Sequence, residues 1–272
     1  MKKNLLLLKI GGGVITDKTK RYGLLDDVLV RLAREIADGY GKLKDTDLII
    51  GNGAGSFAHY SAHEYRTMEG FVDERSVIGA GWVRHDAVKL NQLVFEELLR
   101  VGVPAFSFSP SSLMTVENDK AKHICKETLV VALEKGFVPL VYGDPMVDSV
   151  KGCTIFSTEK VFDEIVRTLA DDYRKIRVVH ISSEAGVYDL NGSSKGRVKP
   201  VIPEITKKNF EQIKSIVNGS NGVDVTGGMT HKVSECLKLA EMGVESQIVS
   251  GMVRGRVRSL LLGKDVPGTV IK

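Results

Sequence analysis

Cysteine is scarce: Cys125, Cys153 and Cys236 are the only three in 272 residues. The number is odd, and no pair has the spacing of a zinc knuckle or a redox motif, so free buried thiols in a reducing compartment are expected. Long apolar runs are missing too. The longest near the start, Leu5 to Leu8, is flanked by Lys3 and Lys9. A signal peptide needs a longer apolar region and a small-residue cleavage site, and a membrane helix needs about 20 apolar residues. A cytoplasmic protein with no membrane partner is the expectation. Charge of one sign is not in excess, since 38 basic and 34 acidic residues leave a net +4. That balance argues against a nucleic-acid partner, while leaving room for a local basic cluster that holds an anion. Internal repeats and low-complexity linkers are absent.

What remains is an ordinary globular composition, 43% apolar and 26% charged, in a chain long enough to bury a large core. Apolar, β-branched runs alternate with segments of helical period. Asn4–Ile10 reads as a buried strand ending in three glycines. Leu25, Val28, Leu29, Leu32 and Ile36 recur at spacings of three and four, which predicts an amphipathic helix. Strands are expected at 47–50, 104–108, 138–142, 177–181 and 246–250. Helices are expected at 72–100, 126–135, 159–173, 207–217, 230–242 and 252–262. This alternation predicts an α/β fold with an open, mainly parallel twisted sheet sandwiched between helix layers. It is read as a single domain over 1–272. Ligands in such sheets sit beyond the carboxyl ends of the strands, which directs attention to the loops after Ile10, Ile50, Tyr142 and Ile181. The Gly-, Ser- and Lys-rich stretch 190–200 reads either as a lid near a ligand or as a solvated hairpin tip.

Three glycine clusters stand at element ends: Gly11-Gly12-Gly13, Gly51-Asn52-Gly53-Ala54-Gly55 and Gly227-Gly228. Glycine lets the backbone approach a ligand closely, and N–H groups at a turn or helix start can point at an anion. No Gly-Lys-Ser/Thr follows, so none is a Walker A loop, and the dinucleotide fingerprint spacing is absent. Lys9 ends a strand that otherwise looks buried; it either faces a ligand or snorkels to the surface. Lys18 follows in the loop. Lys232 falls in the first turn of a helix, where a cation opposes the helix dipole by about 0.3–1 kcal/mol unless an anion lies between them; a water-screened lysine is the other reading. Converging lysines and glycine N–H groups suit phosphoryl transfer, which needs positioning and positive charge more than covalent chemistry. An acceptor that is itself a phosphate monoester, with a second pKa of about 6, needs no strong base. His59, just after the second glycine loop, can donate to a phosphate oxygen. His63 lies four residues on, but Tyr60 stands where a zincin needs Glu, so no protein-held metal is expected.

Several of these segments together resemble isopentenyl phosphate kinases of the amino acid kinase superfamily. Residues 9–18 (Lys-Ile-Gly-Gly-Gly-Val-Ile-Thr-Asp-Lys) are similar to their opening, and 53–59 (Gly-Ala-Gly-Ser-Phe-Ala-His) to their histidine-bearing glycine loop. Residues 103–112, with Ser-Pro-Ser-Ser, resemble their central strand and loop. Tyr142-Gly143-Asp144, residues 148–152, residues 224–229 and Gly268-Thr269 continue the match. The resemblance implies ATP-dependent phosphorylation of isopentenyl phosphate to isopentenyl diphosphate with Mg²⁺, in a homodimer. It implies that Lys9, Lys18 and Lys232 neutralise the phosphoryl groups and that Gly11, Gly12, Gly13 and Gly55 line the ATP phosphates. Gly227, Gly228 and Asp189 are assigned to the nucleotide side. Ala54, His59 and Gly152 are assigned to the acceptor phosphate, and Asp144 to orienting the lysines. Residues 1–157 are read as the acceptor half and 158–272 as the nucleotide half. Val77, Ile78, Trp82 and Val83 are candidates for packing the isoprenoid tail, or are core.

Four departures from the resemblance stand out: Gly13 replaces a Ser, Ala54 a Gly, 183–189 lacks the Asp-rich form, and Arg254 and Arg256 stand where neutral residues are common. A kinase for fosfomycin or another small phosphate or phosphonate is the neighbouring alternative. A carboxylate acceptor fits less well with His59 in place of an Arg fork. From another class, a non-catalytic nucleotide or anion sensor on the same fold is the rival.

Overall fold

The computed structural model describes residues 2–189, 200–217 and 228–272. The stretch 190–199 and Gly227, both singled out above, lie outside the described residues. In chain order the elements are β1 (Asn4–Ile10), α1 (Gly12–Ile15), α2 (Asp26–Tyr40), β2 (Thr46–Asn52), α3 (Gly55–Glu64), α4 (Ser76–Arg100), β3 (Ala105–Ser107) and α5 (Pro110–Leu113). There follow β4 (Met114–Glu117), β5 (Lys120–Ile124), α6 (Lys126–Glu134), β6 (Val138–Tyr142), β7 (Asp144–Asp148), β8 (Gly152–Phe156) and α7 (Thr158–Leu169). The chain closes with β9 (Lys175–Ser182), β10 (Glu204–Ile205), α8 (Lys207–Val217), α9 (Gly228–Glu241), β11 (Glu245–Ser250), α10 (Arg256–Leu261) and β12 (Gly268–Ile271).

Eight strands form one sheet in the order β10-β12-β11-β9-β1-β2-β6-β3. Every pair is parallel except β11 with β12. The alternation of β1 explains its two faces. Leu6, Leu8 and Ile10 point into a core closed by α2, α4 and α10, while Leu5 and Leu7 point into one closed by α6, α7 and α9. The helices are amphipathic for that reason. In α2, Leu29, Leu32, Ala33 and Ile36 are buried, and Asp26 and Asp27 in its first turn complement the helix dipole. In α7, Val161, Phe162, Ile165, Val166 and Leu169 are buried, and the Ser157 hydroxyl caps the start by accepting from Lys160 N at 3.3 Å. Each of the buried Leu, Ile, Val and Phe side chains contributes about 1.5–3 kcal/mol over exposure.

A second sheet, β5-β4-β7-β8, lies beside the first and has no counterpart in the sequence reading. Its strands are four or five residues long, and β5 (Lys-Ala-Lys-His-Ile) has no buried residue. The β4–β5 turn uses Asn118 and Asp119, both at positive φ, and the buried Asp148 carboxylate accepts their two N–H groups and those of Val150 and Lys151 in the β7–β8 turn, tying the two turns together. The helix expected at 252–262 begins only at Arg256. Gly255 before it has φ 77°, and the Glu35 carboxylate accepts from Gly255 N, Val257 N and Arg258 N, which fixes an extended loop ahead of the helix. Among the described residues no helix is long and apolar enough to cross a membrane.

The strand order reverses at β1: residues up to 157 place β2, β6 and β3 on one side, and later residues place β9, β11, β12 and β10 on the other. A crevice is therefore expected at the carboxyl ends of β1 and β9.

Candidate active site

Lys9 continues the row of Leu5 and Leu7 on one face of β1, and it is only 7% exposed. A buried ammonium needs a partner. Glu159, in the first turn of α7, supplies it: its carboxylate accepts from Lys9 Nζ. Burial by itself would raise the Glu159 carboxyl, but the positive field of Lys9, with Lys232 behind it, holds it well below the usual carboxylate range. Lys232, early in α9, thus shares one carboxylate electrostatically with Lys9. Two of the three lysines selected from sequence, Lys9 and Lys232, are linked electrostatically by a residue that sequence reasoning missed. A glutamate in a helix's first turn reads as a dipole complement, and nothing in its spacing reveals a partner at |i−j| = 150.

The first two glycine clusters pack on each other above this group. Gly11 N donates to Ile181 O and Gly53 N to Ile10 O, each at 2.9 Å. A Cβ on Gly12 would lie 2.3 Å from Gly55 N and 2.6 Å from Gly55 Cα, and Gly55 itself has φ 53°. Thr16 joins the two turns, donating to Gly12 O at 2.7 Å and accepting from Ser56 N at 3.0 Å. The starts of α1 and α3 are thereby set side by side. Replacing Gly12 by Ala forces these turns apart and is expected to cost roughly 1–3 kcal/mol, with a raised KM for nucleotide; a chemical denaturation curve and a kinetic assay measure both. Lys18 lies over the first turn, its Cε 3.0 Å from where a Cβ on Gly13 would sit. The absence of a side chain at 13 is what leaves room for Lys18 there.

Ala54 is the residue before α3, with φ −70° and ψ −20°. That backbone accepts a Cβ without strain, so the departure from glycine distorts nothing. His59 is exposed on α3. Beneath it, Ala58, Val83, Ala87 and Tyr142 form a small buried apolar cluster, with Ala54, Ala62 and Ile155 packed against it. Val83 alone of the four tail candidates is there: Val77 is 67% exposed, and Ile78 and Trp82 are exposed as well. Gly152, at φ 80°, opens β8, and the Phe71 ring covers it so closely that a Cβ would meet Cδ2 at 2.2 Å. Asp189 has its N–H donating to Pro200 O at 2.9 Å. Gly228 begins α9.

Asp144, assigned from the resemblance to orienting the lysines, pairs with Arg84. It is buried at the start of β7, where Arg84 Nη1 donates to Oδ2 at 2.9 Å and to Oδ1 at 3.1 Å, and Ser111 N donates to Oδ2 at 3.0 Å. Arg84 also donates to Ser109 and Ser111 hydroxyls at 2.7 and 2.6 Å. Asp144 opens β7 just after β6, and the cation that pairs with it here is the guanidinium on α4. Burial pushes its carboxyl upward, opposed by the Ser111 N–H and by Arg84. The Ser-Pro-Ser-Ser segment noted in the sequence therefore works through Arg84, fixing the wall beside Tyr142, whose hydroxyl lies 2.8 Å from Ser109 Oγ.

A buried lysine paired with a glutamate in the field of a second, half-buried lysine, beside paired glycine turns at the switch point of a mainly parallel sheet, suits the binding of an anion such as a polyphosphate. Comparison with known proteins agrees. The model of the amino acid kinase family matches residues 4–250. The chain is 34% identical to the isopentenyl phosphate kinase of Methanothermobacter thermautotrophicus, over 98% of each chain.

The chain belongs to the isopentenyl phosphate kinase branch of the amino acid kinase family.

The isopentenyl phosphate kinase of Haloferax volcanii is 32% identical over 99% of each chain. A solved isopentenyl phosphate kinase structure superposes with a TM-score of 0.80 and 31% identity, covering 98% of this chain and all of the other.

Proposed function

We propose that the chain transfers the γ-phosphoryl group of ATP to isopentenyl phosphate, giving isopentenyl diphosphate and ADP. The observation that carries this reading is the buried Lys9–Glu159 pair with Lys232 in its field, next to the interlocked glycine turns. An oxygen of the acceptor phosphate attacks the γ-phosphorus as the bond to the β–γ bridging oxygen breaks. Charge gathers on the transferring oxygens, and Lys9, Lys18, Lys232 and the N–H groups of Gly12, Gly13 and Gly55 are the donors that would meet it, with Gly11, its N–H held by Ile181 O, shaping the turn beside them. Gly228 and Asp189 flank the nucleotide, and His59, Ala54 and Gly152 hold the acceptor phosphate. The apolar cluster around Val83 and Tyr142 is the tail's wall. Residues 1–157 thus serve the acceptor and 158–272 the nucleotide. Of the buried carboxylates near the switch point, Glu159 is held by Lys9 and Asp144 by Arg84. Mg²⁺ accordingly fits as a partner of the nucleotide's own phosphates, where it spreads their charge. A cytoplasmic location goes with this substrate pair.

The test is ADP release from Mg·ATP with isopentenyl phosphate, dimethylallyl phosphate and fosfomycin as acceptors. Turnover on the isoprenoid phosphates supports the reading, turnover on fosfomycin alone moves the substrate, and nucleotide binding without turnover favours a sensor.

A homodimer is part of the same proposal. Strand β3 is at the edge of the large sheet, and Phe106 on it is 46% exposed. Its ring packs on Phe108 and on Phe137, itself 41% exposed, with centroids 5.1 and 5.2 Å apart. An apolar open edge of this kind invites pairing with another chain. Light scattering after gel filtration should give a dimer, and Phe106→Glu should give a monomer that keeps its fold. A monomeric wild type would sink the idea.

A further inference from the structure

Helix α9 carries Lys232 and Cys236 one turn apart on the same face. Cys236 is buried, and its Sγ lies 3.3 Å from Nε2 of His180, which is 3% exposed. His180 stands beside Lys9 in the register of β9 and β1, so both side chains leave the sheet on the face that α7 and α9 cover. The contact ties α9 to the sheet one turn behind Lys232 and one strand away from Lys9.

The transfer proposed above uses neither group. Burial pushes the Cys236 thiol up to about 12, which leaves it inert as a nucleophile. Burial first, and then the charge of Lys9, lowers His180 to about 3, against the opposing pull of Glu159. The imidazole is therefore neutral at working pH, between two lysines and a glutamate. Among the described residues its Nδ1 has no hydrogen-bond partner. An apolar residue would avoid that orphaned nitrogen, so the imidazole's worth must lie in the bond it makes through Nε2.

We propose that His180 is a positioning residue for phosphoryl transfer: its imidazole, hydrogen-bonded to Cys236, holds α9 so that Lys232 faces Lys9 and Glu159. The ring is suited to this because it reaches across to α9 without bringing a third cation that would compete for Glu159. The inference rests on the kinase reading of the same site. It names a part of the machinery that contacts neither nucleotide nor acceptor.

The experiment compares wild type with His180→Leu, His180→Gln, Cys236→Val and Cys236→Ser, using steady-state kinetics and Mg·ADP titration. Loss of the bond should lower kcat about tenfold and weaken Mg·ADP binding severalfold in His180→Leu and in Cys236→Val. The acceptor KM should not move. His180→Gln and Cys236→Ser, which keep a hydrogen-bonding pair, should recover most of kcat. Side-chain ¹H–¹⁵N spectra of the wild type should show His180 in one neutral tautomer across neutral pH. A His180→Leu protein with kcat and Mg·ADP affinity within twofold of wild type overturns the proposal. So does a loss that raises both KM values together and is not recovered by Gln. If His180→Leu does not fold, the Cys236 pair decides by the same criteria. An inactive wild type removes the kinase reading instead. The Mg·ADP titration then decides this proposal alone, weakened and recovered binding supporting it and unchanged binding refuting it.

Discussion

Replacing Lys9 by Met should lower kcat by about two to three orders of magnitude, the usual cost of removing one preorganised donor from a developing oxyanion. The effect has a second part that a surface lysine would not show. Lys9 is the hydrogen-bonded partner of Glu159, and both are largely buried. Without the ammonium, a carboxylate is left in the interior with only the field of Lys232, and breaking one side of a buried pair costs about 3–5 kcal/mol. Lys9→Met should therefore be both inactive and less stable in urea. The double variant Lys9→Met, Glu159→Gln should recover much of the stability and none of the rate. If Lys9→Met alone is as stable as wild type, the pair is not the buried contact described above.

The same pair fixes the sign of an acid effect. The folded Glu159 carboxyl titrates below its ordinary value of 4.5, so below that pH the unfolded chain binds more protons than the folded one. Stability is then fully present above the ordinary glutamate value and falls as pH drops beneath it. His180 acts in the same direction, because it is buried neutral and must charge on unfolding in acid. In Lys9→Met the Glu159 contribution loses its main source and only the field of Lys232 remains, so acidification should cost that variant less than it costs wild type. Thermal melts of the two proteins at a series of pH values between neutral and acid measure the difference.

Sequence pattern alone located what is periodic and local. The row of β1, the apolar stripe of α2 and the glycine turns after Ile10 and Ile50 follow from spacing, and the parallel sheet follows from their alternation. The residues that went unread are those whose role depends on a distant neighbour. Glu159 gains meaning only when α7 is laid on β1. Asp144 follows a Tyr-Gly turn, and its pairing with Arg84 from α4 is invisible in the spacing. The small sheet was missed because β5 has no apolar alternation to reveal it, its shape being set by Asp148 and the Asn118-Asp119 turn. Val77, Ile78 and Trp82 are open in sequence to two readings, tail-packing or core, and their exposure removes the core one. Helical spacing gave them an apolar stripe, but burial depends on which face meets α3, and that face carries Val83 and Ala87.

His59→Ala should separate the two substrates. His59 is exposed on α3, one turn past Gly55, so the imidazole is carried on a helix whose start is locked to the first glycine turn through Thr16 and Ser56. Its position is set by backbone, not by burial of the ring, and removing the ring should leave the thermal melt close to that of wild type. A hydrogen bond to a charged phosphate oxygen is worth about 1.5–3 kcal/mol. The expected loss in kcat/KM for isopentenyl phosphate is therefore roughly ten- to a hundredfold, while the KM for Mg·ATP stays within twofold. His59→Asn, which keeps a donor at a similar reach, should recover part of the loss. Lys18→Ala offers the contrast, because Lys18 lies over the first glycine turn and its removal should raise the KM for Mg·ATP. If His59→Ala instead raises the KM for nucleotide and spares the acceptor, the two halves of the crevice are assigned the wrong way round. If it changes neither, His59 has no part in holding the acceptor.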